Sequence, residues 1–283
     1  MSITLREAEP ADAERAGHIC YEAFRAINEA HGFAPDIPSP EAGVSVLAGM
    51  IRRPGIHVVI AEQDGEIVGS NGLDERSEIA GVGPITVDPN VQNAGIGRLL
   101  MHHVMERGAR FAGIRLVQAA FHCRSLSLYT KLGFDPVEPL SCVQGRALSR
   151  ALPGAEVRPA TAADQAACDD VCRAVHGHTR GGELADAIAD RHARVVVRDG
   201  RITGYATFVG FFGHAVGLAD EDVMALIAAA PAFLGPGFLV PTRNARLLRW
   251  CLEQKLRIEQ PLTLMAMGQY QEPRGAYLPS ILY

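Results

Sequence analysis

No excess of basic charge runs through this sequence: 27 lysines and arginines stand against 32 aspartates and glutamates, a formal charge of -5. A chain with that balance has no global field for gathering nucleic acid or an anionic membrane, and only a local phosphate site is left open. Cysteine is sparse. The six (Cys20, Cys123, Cys142, Cys168, Cys172, Cys251) show no paired CxxC spacing. The first residues include Arg6, Glu7, Glu9 and Asp12 where a signal peptide needs an apolar core. Both absences favour a reduced, cytoplasmic protein. Glycine (29) and proline (17) fall well short of a disordered or collagenous composition. Only Val223 to Thr242 runs long without charge, and Pro231, Gly235, Pro236 and Gly237 interrupt it. That stretch reads as helix, loop and strand, not as a membrane span.

What is present is a 48% hydrophobic chain of 283 residues, enough for two cores. The chain also repeats itself. Leu5-Arg6-x-Ala8, Ala11-Asp12 and Ile19-Cys20 match Val157-Arg158-x-Ala160, Ala163-Asp164 and Val171-Cys172 at an offset of 152. Asp64-Gly65-x-Ile67-x-Gly69 matches Asp199-Gly200-x-Ile202-x-Gly204 at 135, and His122 to Phe134 matches Asn244 to Leu256 at 122. The falling offset places 17 extra residues of the first copy before its second strand and 13 more between its third and fifth. Leu152-Pro153-Gly154 marks a boundary, giving a first unit over 1–150 and a second over 155–283.

Strand signals at Ile3 to Arg6, Ile56 to Glu62, Ile67 to Leu73, Ile79 to Val87 and Ile114 to Phe121 alternate with helical signals. The helices fit Ala11 to Ala30, Glu41 to Ile51, Gly95 to Phe111 and Cys123 to Leu132, with short final strands near Val137 and Cys142. The fold class is α/β with a mixed sheet. Asp64-Gly65 reads as a hairpin turn.

The most specific segment runs from Val87 to Met101: strand, turn, glycine-rich bend, then an apolar helix. A helix opening there offers unpaired N–H groups at its positive end, and the glycines let a phosphate approach. Here the sequence resembles the GNAT superfamily, the acyl-CoA-dependent N-acyltransferases, whose motif is (Gln/Arg)-x-x-Gly-x-(Gly/Ala). Gln92-Asn93-Ala94-Gly95-Ile96-Gly97 fits every fixed position. The family's helix pattern Asn-x-x-Ala-x-x-Leu-Tyr-x-x-x-Gly-Phe is met by His122 to Phe134, with His122 for Asn and Ser125 for Ala.

The resemblance implies acetyl-CoA as co-substrate, with its pyrophosphate on Gln92, Asn93, Ala94, Gly95, Ile96, Gly97 and Arg98. Its pantetheine arm is expected beside Ile85, Thr86 and Val87, and His122, Ser125 and Tyr129 complete the site. Pro84 either marks a splay between parallel strands or simply starts a short strand. Tyr129 takes the family's general-acid position, since a phenol is neutral at pH 7 and can donate to a departing thiolate; the alternative is an amphipathic core tyrosine. Glu78 is the candidate base, with Glu75 and Asp74 as rivals. Cys168-x-x-x-Cys172-x-x-x-His176-x-His178 has metal-like spacing, yet Cys172 falls on Cys20 and His176 on Phe24 in the repeat, so the face reads as core and no metal is expected.

In the second copy Leu218-Ala219-Asp220-Glu221-Asp222-Val223 stands where a glycine-rich loop belongs, and its carboxylates would repel a pyrophosphate. Cys251 replaces Tyr129 and Lys255 replaces Gly133. The expectation is a tandem GNAT-like protein, each unit a central mixed sheet flanked by helices, with a degenerate C-terminal copy and a docked C-terminal tail. The first copy would acetylate a primary amine by direct attack. The rivals are a non-catalytic acyl-CoA-binding or sensing protein and a protein or peptide N-acetyltransferase. The partners expected are a small amine or peptide acceptor, with no nucleic acid and no membrane. The assembly is either a monomer forming an intrachain pseudo-dimer or a homodimer.

Overall fold

A computed structural model describes residues 3–91 and 95–283. The first copy runs β1 (Ile3–Glu7), α1 (Ala13–Ala30), α2 (Pro40–Arg52), β2 (Ile56–Gln63), β3 (Glu66–Asp74), β4 (Ile79–Val82), β5 (Thr86–Val87), α3 (Ile96–Gly108), β6 (Gly113–Ala119), α4 (Cys123–Lys131) and β7 (Asp135–Gln144). The second runs β8 (Glu156–Pro159), α5 (Gln165–His176), α6 (Gly181–Ala189), β9 (Arg194–Arg198), β10 (Arg201–Ala206), β11 (Ala215–Gly217), α7 (Asp220–Ala229), β12 (Phe238–Pro241), α8 (Ala245–Glu253), β13 (Arg257–Gly268) and a tail strand β14 (Ala276–Leu278). Leu152-Pro153-Gly154 lies between β7 and β8. The uncharged stretch from Val223 is helix, loop and strand, and among the described residues no helix is long and apolar enough to cross a membrane.

Alternation along the strands builds two cores on opposite faces of each sheet, because successive strand side chains point opposite ways. On β2, Val58 and Ile60 pack with α1 and α2, while Val59 and Ala61 pack with α3. On β9, Val195 packs with α5 and α6, and Val196 packs with α7 and α8. Helices α1 and α2 touch backbone to backbone: a Cβ on Gly17 would lie 2.4 Å from Val44 Cα, and one on Gly43 would lie 2.4 Å from Gly17 O. Any side chain at either glycine would push the two helices apart.

The repeat is visible in atomic detail. Arg6 grips Asp12 through two hydrogen bonds of 2.6 and 2.8 Å, and Arg158 grips Asp164 through two of 2.8 Å. Each aspartate also accepts from a backbone N–H three residues earlier, Glu9 or Thr161, which starts its helix.

Two expectations about strands are corrected. The stretch Ile79 to Val87 is two strands: β4 pairs in parallel with β6, but after Gly83-Pro84 the chain continues as β5, which pairs with β3 alone. The strands near Val137 and Cys142 are one, β7, with an unforeseen neighbourhood. The large sheet runs β1-β2-β3-β4-β6-β13-β7-β12, with β5 attached to β3. Thus β13 of the second copy lies between β6 and β7 of the first, and β7 lies between β13 and β12. The copies have exchanged their last strands. The second sheet, β14-β11-β10-β9-β8, closes with the tail strand.

Candidate active site

Beyond Val82 and Leu116 the parallel β4–β6 pairing stops, because β5 turns away to β3. Two adjoining cavities occupy the opening. The outer one, about 400 Å³, is lined by Ile85, Thr86, Val87, Gly95, Ile96, Gly97, Arg98, His122, Ser125 and Tyr129. These are all the expected cofactor residues within the described part of the chain; Gln92, Asn93 and Ala94 lie outside it. Gly95 precedes α3 at φ +82, a left-handed conformation that favours glycine, and open space surrounds the position of its missing Cβ. Among the described residues no side chain caps α3 and no acidic residue stands in its first turn, and Gly95, Ile96 and Gly97 line the cavity, so the positive end of the helix lies at it.

The inner cavity, about 150 Å³, shares Ile27, Ile85, His122, Ser125 and Tyr129 with the outer one. Its remaining wall is largely apolar and comes from both copies: α1 and the following loop give Asn28 and Asp36, β6 gives Gln118, and the second copy gives Phe211, Leu262 and Leu282. Sequence reasoning expected a docked tail without locating it. It missed Asp36, Gln118 and Leu262 individually, because their meeting depends on the strand exchange.

Tyr129 stands on the wall common to both cavities, on α4, with its ring edge-on to Phe134 at 6.5 Å. Burial pushes its phenol up, so it holds its proton at neutral pH. Burial pushes His122 down, leaving it neutral. Ser125 Oγ donates to Gln118 Oε1 at 3.2 Å.

The candidate base Glu78 is not brought to this place. It is exposed just before β4 and accepts a hydrogen bond of 2.7 Å from Thr179 Oγ1. Four residues of extended strand, about 13 Å at ~3.3 Å each, separate it from Val82 at the inner cavity. Its rivals are engaged elsewhere: Glu75 is paired with Arg107 and Arg110, and Asp74 with Arg76. Cys168 and Cys172 are buried in the α5 core, and among the described residues no group of three His, Cys, Asp or Glu side chains is placed to hold a metal.

The acetyltransferase (GNAT) domain family matches residues 54–136, which hold β4, β5, α3, β6 and α4. Residues 54–136 are thus similar to a GNAT acetyltransferase domain. A mycothiol acetyltransferase of Nocardia farcinica is 39% identical over 67 residues, 22% of this chain and 22% of that protein, so the match spans about a fifth of that relative. An L-amino acid N-acetyltransferase of Escherichia coli is 29% identical over 144 residues, 47% of this chain and 83% of that protein. Among solved structures, an acetyltransferase of Pyrococcus horikoshii superposes with a TM-score of 0.75 at 18% identity, over 97% of this chain and 94% of that one. A tandem GNAT protein from the clavulanic acid biosynthesis pathway superposes with 0.55 at 14% identity, over 94% and 98%. These two likenesses establish the fold, including its tandem arrangement.

The second GNAT-like copy has no counterpart to the opening. β14 pairs with β11, with Tyr277 opposite Val216, and among the described residues β11 has no ladder to β12. At the start of α7, the buried Asp222 carboxylate accepts from Arg198, Thr203 and the Ala219 N–H, so the helix end is already occupied by an anion. Burial pushes the Cys251 thiol, at the Tyr129 position, up to about 12.

Proposed function

We propose that the chain transfers the acetyl group of acetyl-CoA to a primary amine by direct attack, with residues 1–150 as the catalytic copy and 155–283 as the supporting one. The observation that carries this reading is the meeting of two cavities at Tyr129, one at the start of α3 and one smaller and largely apolar. The outer cavity suits acetyl-CoA: α3 N–H groups for the pyrophosphate, and the Ile85–Val87 edge for the pantetheine arm. Bound there, acetyl-CoA supplies an activated acyl carbon. The neutral Tyr129 hydroxyl donates a proton to the thiolate as it leaves. The E. coli relative's name, with N-acetylation in it, supports the same reaction.

An inner cavity of only about 150 Å³ favours a small amine over a protein segment. The strand exchange within one chain supports the intrachain pseudo-dimer. The test is thiol release from acetyl-CoA with a panel of small amines and peptides, alongside calorimetry of acetyl-CoA binding. Binding without thiol release from any amine would leave a non-catalytic acyl-CoA-binding protein.

A further inference from the structure

We infer that the acceptor is a compact, apolar-bodied amine without a carboxylate, whose ammonium is received and deprotonated by Asp36 and whose uncharged oxygen is held by Gln118. The inference rests on the acetyl-transfer reading above and names the substrate class for the same site.

Asp36 lies in the segment between α1 and α2, which is held in place by several contacts. Phe33 stacks on Phe121 at 4.3 Å, Asn28 Nδ2 donates to Ala34 O at 2.8 Å, and Ile37 is buried. The carboxylate accepts from Gln260 of the exchanged strand β13, and Asn28 is within hydrogen-bonding reach. Among the described residues no arginine, lysine or histidine forms an ion pair with it. A carboxylate beside an apolar cavity with only neutral donors is costly to keep charged, and a cation arriving from that cavity offsets the cost.

The other ionisable groups around Asp36 bring no positive charge. The thiols of Cys20 on α1 and Cys142 on β7 are both pushed up to about 12. Glu259 on β13 is paired with Arg257. Across the cavity, His122 and Tyr129 are neutral. Among the described residues no arginine or lysine lines this cavity, Arg98 and Arg124 lining the outer one instead, so a carboxylate on an acceptor held in the inner cavity would face Asp36. Gln118 adds the second constraint. It is 4% exposed, and its Nε2 has no partner while its Oε1 is used by Ser125. That donor suits a hydroxyl or an amide carbonyl.

The chemistry balances. The Asp36 carboxylate takes one proton from the ammonium, and the freed lone pair attacks the thioester carbonyl carbon. The C–N bond forms, the C–S bond breaks, and the thiolate takes the Tyr129 proton. The second proton lost by nitrogen restores Tyr129, and Asp36 passes its own to solvent. The products are an N-acetyl amide, coenzyme A thiol and one proton.

Leucinol, leucinamide, 3-methylbutylamine and leucine share one apolar body and one amine, and so test the site. Thiol release should give leucinol and leucinamide kcat/KM at least ~100-fold above leucine, with 3-methylbutylamine between them. Asp36→Asn, which keeps an acceptor for Gln260, should lower kcat/KM for leucinol by about 10² to 10⁴ and abolish the acid limb of its pH profile, while acetyl-CoA affinity is unchanged. Gln118→Leu should reduce leucinol's advantage over 3-methylbutylamine to less than about twofold. A preference for leucine, or Asp36→Asn with the wild-type rate and pH profile, overturns the inference but leaves acetyl transfer standing. If no amine releases thiol, yet calorimetry shows leucinol binding to the wild type and not to Asp36→Asn, the acceptor site stands and the transfer reading falls.

Discussion

The two copies fold alike and differ where a ligand would enter. Both start their first helix with the same arginine–aspartate grip, and both turn their hairpin on Asp-Gly, Asp64 at φ 53 and Asp199 at φ 48. Both place helices on two faces of a sheet. In the first copy the parallel strands part and leave two cavities around Tyr129; in the second the tail strand lies along β11 and Asp222 fills the start of α7. What one copy has lost, the other uses, because the second copy's strand β13 and tail residue Leu282 help to wall the first copy's inner cavity.

The sharpest way to break the comparison is at the two helix starts. Gly95→Glu with Gly97→Glu would give α3 the acidic opening that α7 already has, and should remove acetyl-CoA binding altogether. Calorimetry of the wild type should show one acetyl-CoA per chain. Two tight sites, or one that survives the double substitution, would mean that the second copy still binds cofactor.

The next largest effect should come from Tyr129→Phe, which removes the proton donor and keeps the ring against Phe134. Turnover should fall by about 10² to 10⁴ with acetyl-CoA affinity nearly unchanged. Cys251→Ala, at the equivalent place in the second copy, should leave turnover within about twofold of the wild type. Equal losses from the two substitutions would show that position, and not the hydroxyl, matters.

How much of this was legible follows from which signals are local. The hairpin turns, the helices around Ala13–Ala30 and Cys123–Lys131, and the residues lining the outer cavity all sit within short patterns, so periodicity, turn chemistry and motif spacing reached them. Lys255 shows how robust such patterns are: it keeps a left-handed φ of 67 where the first copy has Gly133 at 97. The strand exchange left no local trace, since β7 and β13 carry the same apolar alternation whichever neighbour they pair with. Leu262 was therefore unreadable as part of the first copy's cavity, and Glu78 was placed by analogy at the start of β4, the end away from the cavity. The break at Gly83-Pro84 was half legible, because Pro84 cannot donate to a ladder but does not say which partner strand is abandoned.

Truncation after Met267 removes β14 and the residues that follow it. It should open the second copy and the inner cavity together, as no single substitution does. Tyr277, Leu278 and Tyr283 are buried, and at ~1.5 to 3 kcal/mol for each large side chain their loss costs several kcal/mol before the entropy regained by a shorter ordered chain. A lower melting temperature and a weaker acceptor KM should appear together, because Leu282 lines the cavity. An unchanged melting temperature with full turnover would show the tail to be dispensable and the copies independent.

The smallest effect is one of pH, and two buried histidines of the second copy contribute to it. His178 donates to or accepts from the Tyr283 hydroxyl at 2.8 Å, and His214 lies 3.1 Å from Glu183 and 3.1 Å from the Tyr205 hydroxyl. Both belong to the second copy, and burial first, then the Arg180 charge, pushes each down to about 4. A folded-state value below the unfolded value of 6.5 means that the unfolded chain takes up protons first. Stability from these groups is therefore intact above pH 6.5 and is lost as pH falls toward 4. At pH 5 the difference is on the order of 2 kcal/mol for each histidine. Melting temperature should thus decline from pH 7 to pH 5, and His178→Gln should flatten part of that slope. A melting temperature that is flat across this range would show that the second copy's interior admits the protons without loosening the tail.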